Sequence, residues 1–164
     1  QHNFIDLVLE CKPTQVTLVP DAIGALTSNA GWDTIKHQSY LTEVIQEFQR
    51  NGIRTSIFVD ADEKMIEGAK ATGTERIELY TESFAHEYGL GNKNGIKPFI
   101  KAAIKANELN IGINAGHDLS MDNIKFFKEN IPNLLEVSIG HALISESLYL
   151  GLENVVNMYL QKLK

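Results

Sequence analysis

Short runs of β-forming residues alternate with segments of helical periodicity along the whole chain, and this alternation limits the fold more than any other feature. The runs fall at residues 16–20, 55–60, 76–81, 111–115 and 136–139. Between them, apolar residues recur at the spacing of one helix face: Leu41, Val44, Ile45 and Phe48, then Met65, Ile66 and Ala69, then Phe99, Ala103 and Ala106. Gly52 and Gly73 follow two of these segments as helix-ending residues, and Ser120 is placed to cap a helix holding Ile124 and Phe127. A helix between two strands returns the chain to the end where the first strand began, so the strands run parallel. The sequence therefore predicts an α/β fold with about five strands. Leu152, Val155, Val156, Tyr159 and Leu163 predict a last helix lying over the sheet.

A parallel sheet can close into a barrel or remain open and doubly wound, and periodicity does not separate the two. Both architectures gather ligands at the C-terminal ends of their strands. This chain is polar at those ends: residues 19–21 read Val-Pro-Asp, 59–62 Val-Asp-Ala-Asp, 80–82 Tyr-Thr-Glu, 114–117 Asn-Ala-Gly-His and 139–141 Ile-Gly-His. Two of the five histidines, His117 and His141, thus stand at the close of strands. The stretch 82–95, which contains Gly89, Gly91 and Gly95, reads as the longest irregular segment after a strand, a mobile lid or an insertion.

Strand alternation turns Ile77 and Leu79 toward the helices and Glu78 and Tyr80 toward the opposite face, which in a barrel is the interior. A carboxylate in mid-strand must have a partner, because burying it alone is costly. A structural ion pair and a functional role are equally good readings of Glu78. His117 follows two small residues, Ala115 and Gly116, which allow a substrate or loop to approach the backbone, and imidazole transfers protons near neutral pH. A lone loop histidine is more often merely hydrogen-bonded, and the second strand-end histidine is what raises the functional reading.

Gly140 and His141 precede a short helical segment, 142–149, whose first N–H groups and dipole favour an anion such as phosphate. Thr27, Ser28 and Asn29 form a polar patch ahead of Gly31 and Trp32, and turn formation alone can account for it. Asp60 and Asp62, followed by Glu63 and Lys64, read as an acidic helix start rather than a cation site, so no metal is expected.

Composition narrows the functional classes. The chain has 164 residues, 43% of them hydrophobic, enough for a globular core. Fifteen Lys and Arg oppose 21 Asp and Glu, a net charge of −6 with no basic cluster, so nucleic acid is a poor partner. No apolar run approaches the roughly 18 residues needed to span a bilayer, and residues 1–3 lack the features of a signal peptide, so a cytoplasmic location away from membranes is expected. The single cysteine, Cys11, is read as a helix residue with no disulfide or zinc role. Neither a dinucleotide fingerprint, a phosphate-binding Walker loop nor a His-Glu-x-x-His helix is present.

Six segments in order resemble the pyridoxine 5'-phosphate synthase family: residues 15–21 (QVTLVPD), 26–33 (LTSNAGWD), 52–60 (GIRTSIFVD), 76–81 (RIELYT), 113–119 (INAGHDL) and 137–144 (VSIGHALI). The resemblance implies a (β/α)8 TIM-type barrel, of which residues 1–164 would supply about the last five βα units as a single domain. It also implies a transferase-type synthase of vitamin B6 biosynthesis, which joins 1-deoxy-D-xylulose 5-phosphate to 3-amino-2-oxopropyl phosphate and closes the ring with loss of phosphate and water. By the same resemblance His117 is the proton donor and Glu78 stabilises the transition state. Thr27 would bind the deoxyxylulose phosphate, and Gly140 with His141 the amino-ketone phosphate. Asp118 stands at another substrate-contacting position, where the family often has glycine. No cofactor is implied, and the partners would be phosphorylated small molecules and further copies of the chain, an octamer in the family. The family's first three strands, with their general bases, have no counterpart in the sequence, so the 164 residues alone are expected to be inactive. A different phosphosugar lyase or isomerase on a similar scaffold, and a non-catalytic half-barrel that senses a phosphometabolite, are the rival readings.

Overall fold

A computed structural model of the chain describes residues 2–20, 24 and 26–164, with residues 2 and 3 described for backbone only. Its five strands are β1 (Gln15–Leu18), β2 (Arg54–Val59), β3 (Arg76–Tyr80), β4 (Gly112–Gly116) and β5 (Leu134–Ser138). The helices are α1 (His2–Cys11), α2 (Gln38–Arg50), α3 (Glu63–Ala71), α4 (Glu82–Gly89), α5 (Lys97–Glu108), α6 (Ile124–Asn130), α7 (His141–Leu150) and α8 (Leu152–Lys162). The strand boundaries lie within two residues of the expected ones, and Cys11 sits exposed at the end of α1.

All strands are parallel, and their order across the sheet is β1-β2-β3-β4-β5. That order decides between the two candidate architectures. A doubly wound sheet reverses its strand order at a switch point, whereas a chain that always steps in one direction keeps every right-handed crossover on one face and curls toward a barrel. Side chains record the curl. Arg54 of β2 reaches Glu136 of β5 at 2.9 Å, although three strand spacings in a flat sheet would separate their backbones by about 14 Å. Likewise Thr17 of β1 meets Glu78 of β3, two strands away. The chain therefore forms part of a (β/α)8 barrel wall.

The two faces of the sheet have opposite chemistry. Val16, Leu18, Ile57, Val59, Ile77, Leu79, Ile113 and Ala115 point outward and are buried under the helices with Ile45, Phe48, Ile66, Phe99 and Phe127. Each fully buried aliphatic side chain there contributes roughly 1.5–3 kcal/mol. On the inner face, the register sets Thr17 beside Ser56, Glu78 beside Asn114, and Asn114 beside Glu136.

The expected irregular stretch at 82–95 is instead α4 followed by a 3-10 turn, Lys93–Ile96. Phe84 and Tyr88, one helical turn apart, drive this: Phe84 is buried and stacks among Tyr88, Phe99, Phe126 and Phe127. The glycines do not interrupt the helix; Gly89 ends it and Gly91, at φ 80°, turns the chain away. Between β1 and α2 the described residues, Thr27 and Trp32 among them, form neither helix nor strand. The later part of this connection is tied to β2, where the Trp32 N–H donates to Phe58 O at 2.8 Å and a Cβ on Gly31 would overlap the backbone of Val59.

Ser120 acts one turn ahead of its expected place. Its carbonyl accepts from Ile124 N–H, and its hydroxyl accepts from Asp122 N–H at 3.3 Å, while Asn123 is the residue that immediately precedes α6. In α8, Val155 and Tyr159 are buried against Ile124, but Leu152 and Leu160 are exposed. No helix among the described residues is long and apolar enough to cross a membrane.

Candidate active site

The site lies at the C-terminal ends of β3, β4 and β5. Gly116, the last residue of β4, is followed by His117 and Asp118, both in the left-handed backbone region at φ 82° and 58°. Residues other than glycine adopt this region at a cost, which explains why a glycine would be the easier residue at position 118. Two such residues in succession turn the His117 side chain back over the mouth of the sheet.

The imidazole is held on three sides. Its Nε2 lies 3.0 Å from Thr27 Oγ1, a hydrogen bond whose direction follows the tautomer. The ring packs edge-on against Tyr80, with centroids 4.9 Å apart. Nδ1 is 3.2 Å from Asp118 Oδ2, close enough for electrostatic attraction, yet without the alignment of a hydrogen bond. Tyr80 in turn donates to the carbonyl of Ser28 at 3.4 Å, joining β3 to the loop that carries Thr27. Burial, then the carboxylates of Glu82, Asp118 and Asp60, hold the Tyr80 phenol above its ordinary pKa, so it stays a neutral donor.

Glu78 occupies the inner face below this layer and is only 8% exposed. Its neighbours are hydroxyls rather than a cation: Thr17 Oγ1 donates to Oε2 at 3.2 Å, and the Ser138 hydroxyl adjoins the carboxylate and lowers its pKa. Burial pushes the Glu78 pKa up, the two hydroxyls pull it down by less, and the charge of Glu136 adds to the rise. A carboxyl whose ionised form is disfavoured in this way is suited to exchanging protons or to meeting a developing positive charge. Gly116 makes room for it, since a Cβ there would collide with the Glu78 carboxylate and come within 3.0 Å of Ser138 Cβ.

A cavity of about 450 Å³ opens above these residues. Thr27, His117, Asp118, Ser138, Gly140 and His141 are among its lining residues, so five of the six site residues expected from sequence share one opening, and Glu78 lies beneath it. Gly140 immediately precedes α7, His141 is its first residue, and no acidic side chain occupies the first turn. The first N–H groups of a helix have no partner within it, and they face an anion favourably. At Gly140 a Cβ would meet open space, so the approach is unobstructed.

The acidic pair has a structural role. Asp62 accepts from Lys64 N–H at 2.8 Å and from Met65 N–H at 3.2 Å, capping α3. Asp60 accepts from Gly31 N–H at 3.4 Å. Asp21, the end of the polar run 19–21, lies outside the described residues.

Sequence reasoning missed the layer beneath Glu78. There Arg54 and Arg76 both contact Glu136 Oε1, at 2.9 and 2.8 Å, and Asn114 joins Arg76 to the other oxygen of Glu136. The signal was present as a period-two polar pattern on three strands: Arg54 and Ser56, Arg76 and Glu78, Glu136 and Ser138. Thr17, Ser138 and the contact of Tyr80 with His117 were also missed, because single hydroxyls and aromatics on strands carry no distinctive spacing.

Comparison with known proteins adds a family. The family model described as "Pyridoxal phosphate biosynthesis protein PdxJ" matches residues 1–164. The chain is 82% identical over 164 residues to pyridoxine 5'-phosphate synthase of Flavobacterium johnsoniae, covering all of this chain and 69% of that protein. It is 67% identical to the synthase of Christiangramia forsetii over 99% of the chain and 69% of the relative. The protein of the same name from Cytophaga hutchinsonii is 56% identical over the whole chain and 69% of its own length.

Proposed function

The chain belongs to the pyridoxine 5'-phosphate synthase family, and from that premise we propose that it carries the proton donor and a phosphate subsite of that enzyme. The substrates are 1-deoxy-D-xylulose 5-phosphate and 3-amino-2-oxopropyl phosphate, condensed to pyridoxine 5'-phosphate with release of phosphate and water. The observation that carries this reading is the meeting of His117, Thr27 and the N-terminus of α7 around one cavity of about 450 Å³.

In the proposed division of labour, Gly140 and the first N–H groups of α7 hold the phosphate of the amino ketone, with His141 beside it. Thr27 binds the second phosphorylated substrate from the opposite lip, and Asp118 contacts substrate at the rim. His117, with Nε2 toward the cavity, delivers a proton to a departing oxygen during dehydration. Glu78 supports the positive charge that develops as carbon–nitrogen bonds form, its ionisation set by burial and by Thr17 and Ser138. Each step needs a proton placed at a fixed atom, which positioned acids and bases supply.

The family match favours this synthase over another phosphosugar lyase and over a sensing module. We further propose residues 1–164 as one domain, a cytoplasmic location and assembly into homo-oligomers. Exposed Leu148, Tyr149, Leu150 and Leu152 at the α7–α8 corner support the assembly. The deciding experiment measures product formation from the two substrates by full-length enzyme with His117→Gln. Turnover within about twofold of the parent would discard His117 as proton donor, since loss of such a group costs roughly 10²–10⁴-fold.

A further inference from the structure

Thr81 sits between β3 and α4 with its side chain fully buried. It occupies the position just before a helix, where a threonine hydroxyl ordinarily accepts a hydrogen bond from the first turn. Here it makes no such bond. Its Oγ1 donates instead to Gly116 O at 2.8 Å and also meets His117 O, while its N–H donates to Gly116 O at 3.0 Å. In a regular strand successive carbonyls point to opposite sides. The carbonyls of Gly116 and His117 both face Thr81, and between them lies the left-handed backbone of His117, φ 82°, followed by Asp118 at φ 58°. Such a conformation in residues other than glycine persists only where the surroundings over-determine it.

We infer that Thr81 is a positioning residue for His117: its hydroxyl, shared between two strand-end carbonyls, fixes the left-handed turn that aims the imidazole over the cavity. The inference rests on the reading of His117 as proton donor. Thr81 is not among the residues lining the cavity, and its contacts with the site are to the carbonyls of Gly116 and His117, so its effect passes through the backbone. A hydroxyl is the required group; the methyl of threonine only fills the buried space beside it.

The experiment compares Thr81→Val, Thr81→Ser and Thr81→Ala in full-length enzyme, with the HN–Hα coupling and Cα shift of His117 read by NMR. Thr81→Val is expected to lower kcat by about 10–100-fold, the scale of a misplaced catalytic group, while KM stays within about twofold. Thr81→Ser should retain most of kcat, and the His117 signals should leave their positive-φ values in the valine form only. Equal impairment of the serine and valine forms, or unchanged kcat in the valine form, overturns the inference. If the valine form does not fold, the alanine form is read in its place; failure of both while serine folds also overturns it, the hydroxyl then serving the fold at large. His117→Gln is measured alongside. Should that variant keep its activity, the proton-donor reading fails, and the His117 coupling in Thr81→Val still decides whether the hydroxyl holds the turn.

Discussion

The inner face of the sheet is polar at both its lower and its upper end, but the two ends are built on different terms. At the lower end, Arg54 and Arg76 converge on Glu136, Asn114 bridges Arg76 and Glu136, and Gln15 accepts from Arg54 Nε at 2.8 Å, so charge meets charge and these five side chains are partnered with one another. At the upper end, Glu78 is buried with hydroxyls alone, and His117 and Asp118 hold left-handed backbones. The lower layer is arranged for stability. The upper layer keeps a poorly solvated carboxylate and a strained turn beside the cavity, which is the usual location of such costs.

Substitutions can break this contrast. The largest effect is expected from His117→Ala, which should reduce turnover by roughly 10²–10⁴-fold while leaving the thermal midpoint unchanged or higher. A parallel loss of folding, followed by calorimetry, would place His117 with the structural layer instead. Gly116→Ala comes next, because the new methyl group meets the Glu78 carboxylate and Ser138. Overpacking of this kind costs about 1–3 kcal/mol, and displacement of Glu78 should lower kcat by about 10²-fold. Steady-state kinetics and denaturant unfolding on the same sample separate the two effects.

Glu136→Ala tests the other end. It leaves two guanidinium groups facing each other, partly screened by solvent, and should cost about 1–3 kcal/mol in urea unfolding. Activity of the molecules that remain folded should be retained; a selective loss of kcat would show that the lower layer takes part in catalysis.

Glu78→Gln sharpens the comparison through pH. The folded-state pKa of Glu78 is raised by burial, so the native state favours the protonated carboxyl. Its stabilising contribution is therefore present below the ordinary carboxylate range and is lost as pH rises through the folded-state value. The glutamine form should unfold at a higher temperature than the parent near neutral pH, with the difference shrinking in acid, and it should be less active. A Tm difference that grows in acid would contradict the assigned burial effect. The smallest change is expected for Asp118→Gly, which relieves a left-handed residue and should add about 0.5–1 kcal/mol to unfolding free energy, checked by denaturant titration.

Much of this arrangement is legible in the sequence. The five strands follow from β-forming runs between helical periodicities, and Glu78 was assigned to the inner face by alternation with Ile77 and Leu79, both buried on the helix side. Position at strand ends singled out His117, Gly140 and His141, which line one cavity with Thr27. The stretch 82–95 departs from its expected irregularity because the helical spacing of Phe84 and Tyr88 outweighs its glycines, and the burial of Phe84 among three further aromatic rings decides the local structure. Asp62 shows the reverse: local chemistry alone points to an acidic helix start, and the helix is there with Asp62 as its cap.

By itself, the sequence determined the alternation of strand and helix, the polarity of strand ends and the family resemblance, because these depend on near neighbours in the chain and on motif order. Only the tertiary structure decided that the strand order never reverses, that Arg54 pairs with Glu136 across 82 positions, and that Thr27 meets His117 across 90. Sheet curvature brings those pairs together, and curvature is a cumulative property of all the strands, written in no single segment. The same closure fixes how His117 is held, by a hydroxyl from one loop, a ring from β3 and a buried threonine beside α4.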